Sequence, residues 1–323
     1  MRLRTVIPWL LLLAVVLPAL VLTGNRLLEP SAGQAVRVEA FTPLGLPLYA
    51  VALAGLVVAG VARRGRWRLL VVPTAVCLLG LGLHAWWWSP EVLGANPPPA
   101  EGAKPVVVMT ANLFAGRGDA LALLAEASDA RVDILVVEEI TGGVFADMER
   151  AGLDEVFPHR AGAPGIAVEG TMVFSREPMG AATRLDTNLE SWEVTVGDLT
   201  ILAVHPSAPT MPEAWRDDHA AILAAAREYT PDLVVGDLNA TNDHAPLRAL
   251  ADAGWRDVAE LANEGWQPTW PANDLFSTVG VPLPTLARID HVLVGPALAA
   301  ISSRTVALDG TDHRAVIAEV APK

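Results

Sequence analysis

A three-helix membrane anchor, a stiff linker and an acidic α/β domain make up the architecture this sequence predicts, and three observations predict it. Charge changes sign along the chain: the first hundred of its 323 residues carry eight Arg and three Glu, a net of +5, and the remainder sets 15 Lys and Arg against 33 Asp and Glu, a net of −18. Three uncharged apolar segments lie in the basic part. In the acidic part, short apolar runs end again and again in one polar residue, which is how strands of a sheet deliver side chains to a common edge.

The apolar segments are Val6 to Thr23, Thr42 to Ala62 and Leu69 to Trp88, each about the 20 residues a helix needs to cross a bilayer core. A cleaved signal peptide is the alternative for the first, since Arg2 and Arg4 precede it and it contains Pro8 and Pro18. Arg63, Arg64, Arg66 and Arg68 crowd the connection between the second and third spans, so the positive-inside rule puts that connection and the N-terminus in the cytoplasm. Everything after Ser89 is then expected outside it, with Trp86, Trp87 and Trp88 at the interface. No Asp, Glu, Lys or Arg lies within the spans, which predicts an anchor rather than a transport path; His84, close to a span end, is expected at the interface. The lone Cys77 excludes a disulfide framework and a cysteine metal site. Residues 90–105, with Pro97 to Pro99 in a row, read as an extended linker. The expected boundaries are therefore 1–89, 90–105 and 106–323.

Within the acidic part, Val106 to Met109 reads as a buried strand ending near Asn112. Asp119 can cap a helix running to about Ala130, with Leu121, Leu124 and Ala125 on one face. Asp133 to Ile140 is a second buried strand, closing on Glu138 and Glu139; adjacent residues face opposite ways, so one of the two carboxylates can enter a site while the other meets solvent or a neighbouring layer. Gly170 to Arg176 and Thr200 to His205 are further strands, the latter stopped by Pro206. Pro212 to Tyr229 is a helix with Pro in its first turn. Leu233 to Val235 is a strand halted by Gly236, and a helix from Asp243 to Ala253 follows. Asp237 and Asn239 leave that strand two residues apart, on one side by alternation; the plainer reading is an Asx turn. The last strands carry Arg288-Ile289-Asp290-His291 and Thr311-Asp312-His313.

Asn112, Glu139, His205, Asp237, Asn239, Asp290, Asp312 and His313 thus each lie at or near the end of a separate apolar run. Carboxylates, carboxamides and imidazoles without cysteine suit a hard cation bound through oxygen. His159, His219 and His244 are expected at the surface or in caps, and His291 either supports the site or is only a strand residue.

Taken in order, TANL with Asn112, DILVVEE with Glu139, the strand ending in His205, GDLN with Asp237 and Asn239, TWP at Thr269 to Pro271, RID with Asp290 and TDH with Asp312 and His313 resemble the endonuclease/exonuclease/phosphatase superfamily, over roughly Val106 to Val320. Glu138 stands where Gln is common, and Thr311 where Ser is usual. The resemblance implies a four-layer αββα sandwich of two mixed β-sheets, preceded here by the three spans, and a phosphoester hydrolase dependent on Mg²⁺ or Mn²⁺. It implies Glu139 as the main metal ligand with Asn112 and Asp312 completing the metal and phosphate network. Asp237 would orient or deprotonate water, Asn239 would hydrogen-bond phosphate oxygens, Asp290 and His313 would handle protons or charge, and His205 would contact the phosphate or leaving group. Which residue is the base stays open.

Substrate candidates are nucleic acid, a phospholipid head group at the bilayer, or a small phosphodiester; a net of −18 opposes the first, because binding to nucleic acid draws on Lys and Arg. A catalytically inactive binding domain of the same fold is the alternative function. Gly-x-Ser-x-Gly and His-Glu-x-x-His are absent, which excludes those hydrolase classes, and no protein partner is identifiable.

Overall fold

The computed structural model describes residues 3–30, 33–62, 67–278 and 281–323. Its contacts divide the chain into two compact units, Met1–Pro90 and Glu91–Lys323.

The first unit is helical: α1 (Leu3–Leu28), α2 (Gly33–Glu39), α3 (Gly45–Ala62) and α4 (Val71–Trp88). Three stretches are long and apolar enough to cross a membrane, Ile7–Leu28, Thr42–Val61 and Val71–Trp88. Their outward side chains, such as Leu11, Val58 and Leu79, are apolar and exposed, the reverse of a water-soluble bundle. Polar groups turn inward: the Thr23 hydroxyl lies 2.8 Å from Tyr49 Oη and 3.0 Å from His84 Nε2. His84 is buried between helices, because an imidazole in an apolar layer needs a partner and Thr23 supplies one.

The second unit begins with the short helix α5 (Pro90–Leu93). Then come β1 (Val106–Asn112), α6 (Ala120–Asp129), β2 (Ile134–Glu138), α7 (Gly142–Arg150), α8 (Leu153–Val156), β3 (His159–Ala163), β4 (Thr171–Ser175), β5 (Thr183–Arg184), β6 (Trp192–Val196) and β7 (Leu199–Ala203). The chain continues through α9 (Pro212–Tyr229), β8 (Leu233–Asp237), α10 (Ala245–Asp252), β9 (Arg256–Asp257), α11 (Val258–Leu261), a small hairpin of β10 (Ser277–Thr278) and β11 (Val281–Pro282), β12 (Asp290–Val294), β13 (Leu298–Ala307) and β14 (Arg314–Pro322). One six-stranded sheet runs β13-β14-β1-β2-β4-β3 and the other β5-β6-β7-β8-β12-β9. Parallel pairs β1/β2 and β7/β8 sit within otherwise antiparallel neighbours, so both sheets are mixed.

Alternation explains why the strands are apolar on both faces. From the first sheet, Val108, Val136 and Val173 join Ile201, Val235 and Val292 of the second in the core between the sheets. Their neighbours Met109, Leu135 and Phe174 pack outward against Leu123 and Leu124 of α6 and Met148 of α7. The α6 stripe is Ala120, Leu123, Leu124 and Ala127, with Leu121 exposed. The buried face is thus set one position away from the expected one, and Asp119 caps the helix through Leu121 N and Ala122 N.

Residues 91–105 run along the body of this unit. Glu91 forms a two-pronged salt bridge with Arg288 at 2.5 and 3.0 Å, Asn96 Nδ2 reaches the Ala300 carbonyl, and Ala100 N donates to Pro322 O.

Candidate active site

The site forms where the inter-sheet core stops. On β1, Val108 and Thr110 face the other sheet and Asn112 continues that stripe; on β2, Ile134 and Val136 lead to Glu138; Leu233 and Val235 lead to Asp237; Val292 and Val294 lie on the side of Asp290; and Ile201 and Ala203 lead to His205. Register brings the ends level, with Asn112 opposite Glu138 and Asp237 opposite Asp290. Apart from Thr110, the inward positions of these strands are apolar until the one at the site end. Gly236 is required within GDLN: its φ is +145°, and an added Cβ would collide with the Val204 carbonyl and come within 3.0 Å of Glu138 Oε1.

The choice between the two glutamates is settled by alternation and one backbone turn. Glu138 points between the sheets, fully buried, accepting from Thr110 Oγ1 at 2.8 Å with its second oxygen unpartnered. Glu139 leaves the strand with φ +55°, a left-handed conformation costly for a residue with a Cβ, and this turns its carboxylate into the site. Its oxygens accept from Asn112 Nδ2 at 3.1 Å and Ala115 N at 2.5 Å.

Asn112 Nδ2 also donates to Asp237 Oδ2 at 2.9 Å. Asn239 N donates to Asp237 Oδ1 at 2.8 Å, so the Asx turn and the shared site are both realised. Asn239 itself has φ +48°, donates from Nδ2 to Pro206 O and accepts Trp215 Nε1 at its carbonyl, each at 3.0 Å. His313 Nδ1 donates to Asp290 at 2.9 Å, and its Nε2 lies 3.8 Å from both Asp237 Oδ2 and Asp312 Oδ1. His205 Nε2 stands 3.9 Å from Glu139 and 3.8 Å from Asp237. Asp312 Oδ2 accepts Trp270 Nε1 at 2.9 Å, whereas its Oδ1 is buried without any hydrogen-bond partner.

All eight expected residues therefore converge, with Glu139, Asn112, His205, Asp237 and His313 in one chain of contacts and Asp290, Asn239 and Asp312 each one contact further. The electrostatics follow from crowding. Burial, together with Asp290, raises the Asp237 carboxyl well above the usual range, and burial likewise raises Glu139. Burial opposes charge on His313 too, but Asp290 and Asp237 outweigh it and hold that imidazole protonated. His205 is pushed down to about 4 by burial and then by the His313 charge, so it is neutral at pH 7. Glu138, in the dry inter-sheet space, is raised to about 8 by burial; at neutral pH it is a carboxylic acid, uncharged like the Gln it stands for.

Some contributors escaped sequence reading. Trp270, within the TWP stretch, holds Asp312; Trp215 on α9 holds the Asn239 carbonyl; Ser191 Oγ accepts His205 N at 3.0 Å. His219 is buried beside Trp215 and His244 rather than at the surface, because α9 turns that face toward the 238–244 loop. His244 precedes α10 and accepts Thr241 N at Nδ1. His291 supports the site from behind, its ring nitrogens facing Asp257 Oδ2 at 2.6 Å and Ala240 O at 2.9 Å. For none of these does a local pattern exist except the TWP stretch.

Two mixed sheets face to face, flanked by helices and carrying carboxylates, carboxamides and imidazoles at one edge, define the protein class. The chain belongs to the endonuclease/exonuclease/phosphatase family, whose profile matches residues 109–313. Solved structures of similar fold include a family protein from Bacteroides thetaiotaomicron, 14% identical with a TM-score of 0.52 over 68% of this chain and 99% of that one. Another is the 3′ phosphatase NExo from Neisseria bound to a product DNA hairpin, 20% identical, TM-score 0.53, over 66% and 98%. An AP endonuclease from Archaeoglobus fulgidus is 14% identical, TM-score 0.53, over 66% and 98%. At such identities the likeness is one of fold. Comparison with curated proteins gives no match.

Proposed function

We propose that this chain is a membrane-anchored phosphoester hydrolase dependent on Mg²⁺ or Mn²⁺, with its catalytic domain outside the cytoplasm. One observation carries the reading: Glu139, Asp237, Asp290 and Asp312 are gathered at one buried edge against a single protonated imidazole, and Asp312 Oδ1 has no donor at all. Such an anionic surplus with an orphaned oxygen fits a hard cation. Glu139 and Asp312, with the Asn112 carboxamide between Glu139 and Asp237, would hold it. The trio Asp237, Asp290 and His313 also brings ligand atoms within 4.8 Å of one another, but His313 Nδ1 is already committed to Asp290, so we assign the trio to proton handling.

Bound at this edge, a divalent cation would neutralise charge on phosphoryl oxygens and lower the pKa of bound water. Asp237, fixed by Asn112 Nδ2 and Asn239 N, orients the attacking water and takes its proton. Asn239 spends one N–H on Pro206 O and keeps the other for a phosphoryl oxygen. His313, kept charged and in one orientation by Asp290, stabilises negative charge as the phosphorus becomes five-coordinate. Neutral His205 offers an N–H to the phosphate or leaving group.

The orientation rests on the basic residues flanking the spans; of these, Arg2, Arg63, Arg64 and Arg66 lie outside the described residues. The test is hydrolysis of a generic bis-phosphodiester and plasmid DNA by the purified full chain with Mg²⁺, Mn²⁺ or EDTA, beside Glu139→Ala and His313→Ala. Metal-dependent cleavage lost in both variants is expected. Silence with every substrate, together with no metal binding by calorimetry, would leave a binding domain.

A further inference from the structure

We infer that Asp218, on the buried face of α9, is a positioning residue for His205: its carboxylate pins the chain on both sides of that histidine and so aims the ring at the phosphate or leaving group. The inference rests on the hydrolase reading above.

His205 needs support from its backbone because its ring has no hydrogen bond of its own. The two imidazoles of the site differ in this. His313 is held through Nδ1 by Asp290, whereas His205 Nδ1 is buried without any hydrogen-bond partner. His205 Nε2 stands 3.8 Å from Asp237 and 3.9 Å from Glu139, beyond hydrogen-bond range. Packing and the backbone alone therefore decide where the ring points. That backbone is irregular: β7 ends at Ala203 and α9 begins at Pro212, so His205 lies outside any strand or helix. Something other than a sheet ladder has to hold it.

Asp218 does so from two directions. Downstream of His205, Ser207 N donates to Asp218 Oδ2 at 2.7 Å; the Ser207 hydroxyl is buried without a partner, so the backbone N–H is the tie. Upstream, Asp218 Oδ1 accepts Asn188 N at 2.7 Å and Asn188 Nδ2 at 2.8 Å. Asn188 belongs to the 185–191 loop, which Leu185 N closes on the Ser191 carbonyl at 2.9 Å, and Ser191 Oγ accepts His205 N. The carboxylate is 1% exposed and meets three N–H groups, none of them from Lys or Arg; short bonds of this kind to a carboxylate are stronger than those between neutral groups. Trp215, three residues earlier and so on the same face of α9, donates Nε1 to the Asn239 carbonyl, and Asn239 Nδ2 donates to Pro206 O. One helix face thus sets the loop of His205 against the loop of Asn239. A carboxamide at position 218 keeps the shape but has a single accepting oxygen, so its NH₂ would face either Ser207 N–H or the Asn188 pair. One of the two ties is then lost.

The test is a double-mutant cycle on the purified full chain, with bis(p-nitrophenyl) phosphate and Mn²⁺: wild type, Asp218→Asn, His205→Ala and the two together. Misplacing a reacting group by about 1 Å costs about 10²-fold, so Asp218→Asn is expected to lower kcat by about 10-fold or more, with KM within about twofold of wild type. In the His205→Ala background the same substitution should lower kcat by less than about twofold, because no ring is left to aim. Mn²⁺ binding by calorimetry should be kept in Asp218→Asn, since Asn112, Glu139 and Asp312 lie on other elements. Asn188→Asp, which sets a second carboxylate against Asp218 from an exposed position, carries the same cycle and the same expectation if Asp218→Asn does not fold. Losses that multiply in the double variant would overturn the inference and make Asp218 a structural residue. A rise in KM with kcat kept would overturn it as well, and both results leave the hydrolase reading standing. Wild type that cleaves no substrate would end both.

Discussion

Replacing Glu91 with Ala tests how the second unit is held together where the chain enters it. Arg288 is 5% exposed and has three carboxylates around it, Glu91 at 2.5 and 3.0 Å, Asp257 at 3.5 Å and Glu260 at 4.0 Å. Removing one partner of a buried pair costs about 3–5 kcal/mol, chiefly because the remaining charge is stranded. Asp257 and Glu260 stay to share the guanidinium, so the expected loss is at the lower end, about 3 kcal/mol. For a unit of this length that is a fall in Tm of about 6–12 °C. The assay is thermal and urea unfolding of a 91–323 fragment, compared with Glu91→Ala and with a fragment starting at Glu101. The shortened fragment should lose at least as much as the point variant, since it also lacks the Asn96 and Ala100 contacts. Arg288→Met in the Glu91→Ala background should lose further stability, because Asp257 and Glu260 are then left without their buried cation. A loss below about 1 kcal/mol, or a double variant no less stable than Glu91→Ala, would refute the reasoning.

The other predictions concern the site. Glu138 keeps its proton to about pH 8 in the fold, while the unfolded chain releases it near 4.3. Between these values the unfolded state binds fewer protons, so this group lowers stability by about 1.4 kcal/mol per pH unit as pH rises. Glu138→Gln should therefore gain on wild type as pH is raised from 5 to 8 in EDTA, by up to about 3 kcal/mol at pH 7; urea midpoints that stay parallel would contradict the burial argument. Asp312→Asn should weaken Mn²⁺ binding by calorimetry about 10-fold or more, with the fold unchanged by circular dichroism. Asp290→Asn should lower kcat about 10²–10⁴-fold with little change in KM, because it releases the His313 charge; an equal rise in KM would mean a loss of substrate binding instead.

What the sequence made legible was local. A polar residue that ends an apolar run is visible to alternation, and Asn112, His205, Asp237 and Asp290 were found that way because each continues an inward stripe. Asn239 in a left-handed turn was also readable, since Asn tolerates that region. Glu139 was not readable in the same way: alternation assigns either Glu138 or Glu139 to the site, and only the φ of +55° shows how the second turns in. Composition marks residues 90–105 as a spacer and is silent on Glu91, which meets Arg288 across 197 positions. No periodicity reports such a pair. The same holds for Trp215 and Trp270, whose indole N–H groups find their acceptors 24 and 42 residues away.

The two buried ionic clusters of the second unit separate support from chemistry. Behind the site, every oxygen of Glu91 and Asp257 is engaged: both Glu91 oxygens by Arg288, and Asp257 by Ala259 N and His291. Arg288 and His291 outweigh burial on Asp257 and hold its carboxyl below its usual range, while burial raises Glu91 and Glu260 beside the same guanidinium. Asp257 contributes stability that is present above the ordinary carboxylate pKa and is lost as pH falls below it. At the site burial raises Asp237 and Glu139, no arginine among the described residues faces them, and Asp312 keeps an oxygen with no donor. The cluster behind the site reaches the site itself through His291 and the Ala240 carbonyl, one residue from Asn239. The chain that enters the second unit at Glu91 is in this way part of the frame that holds the loop carrying Asn239.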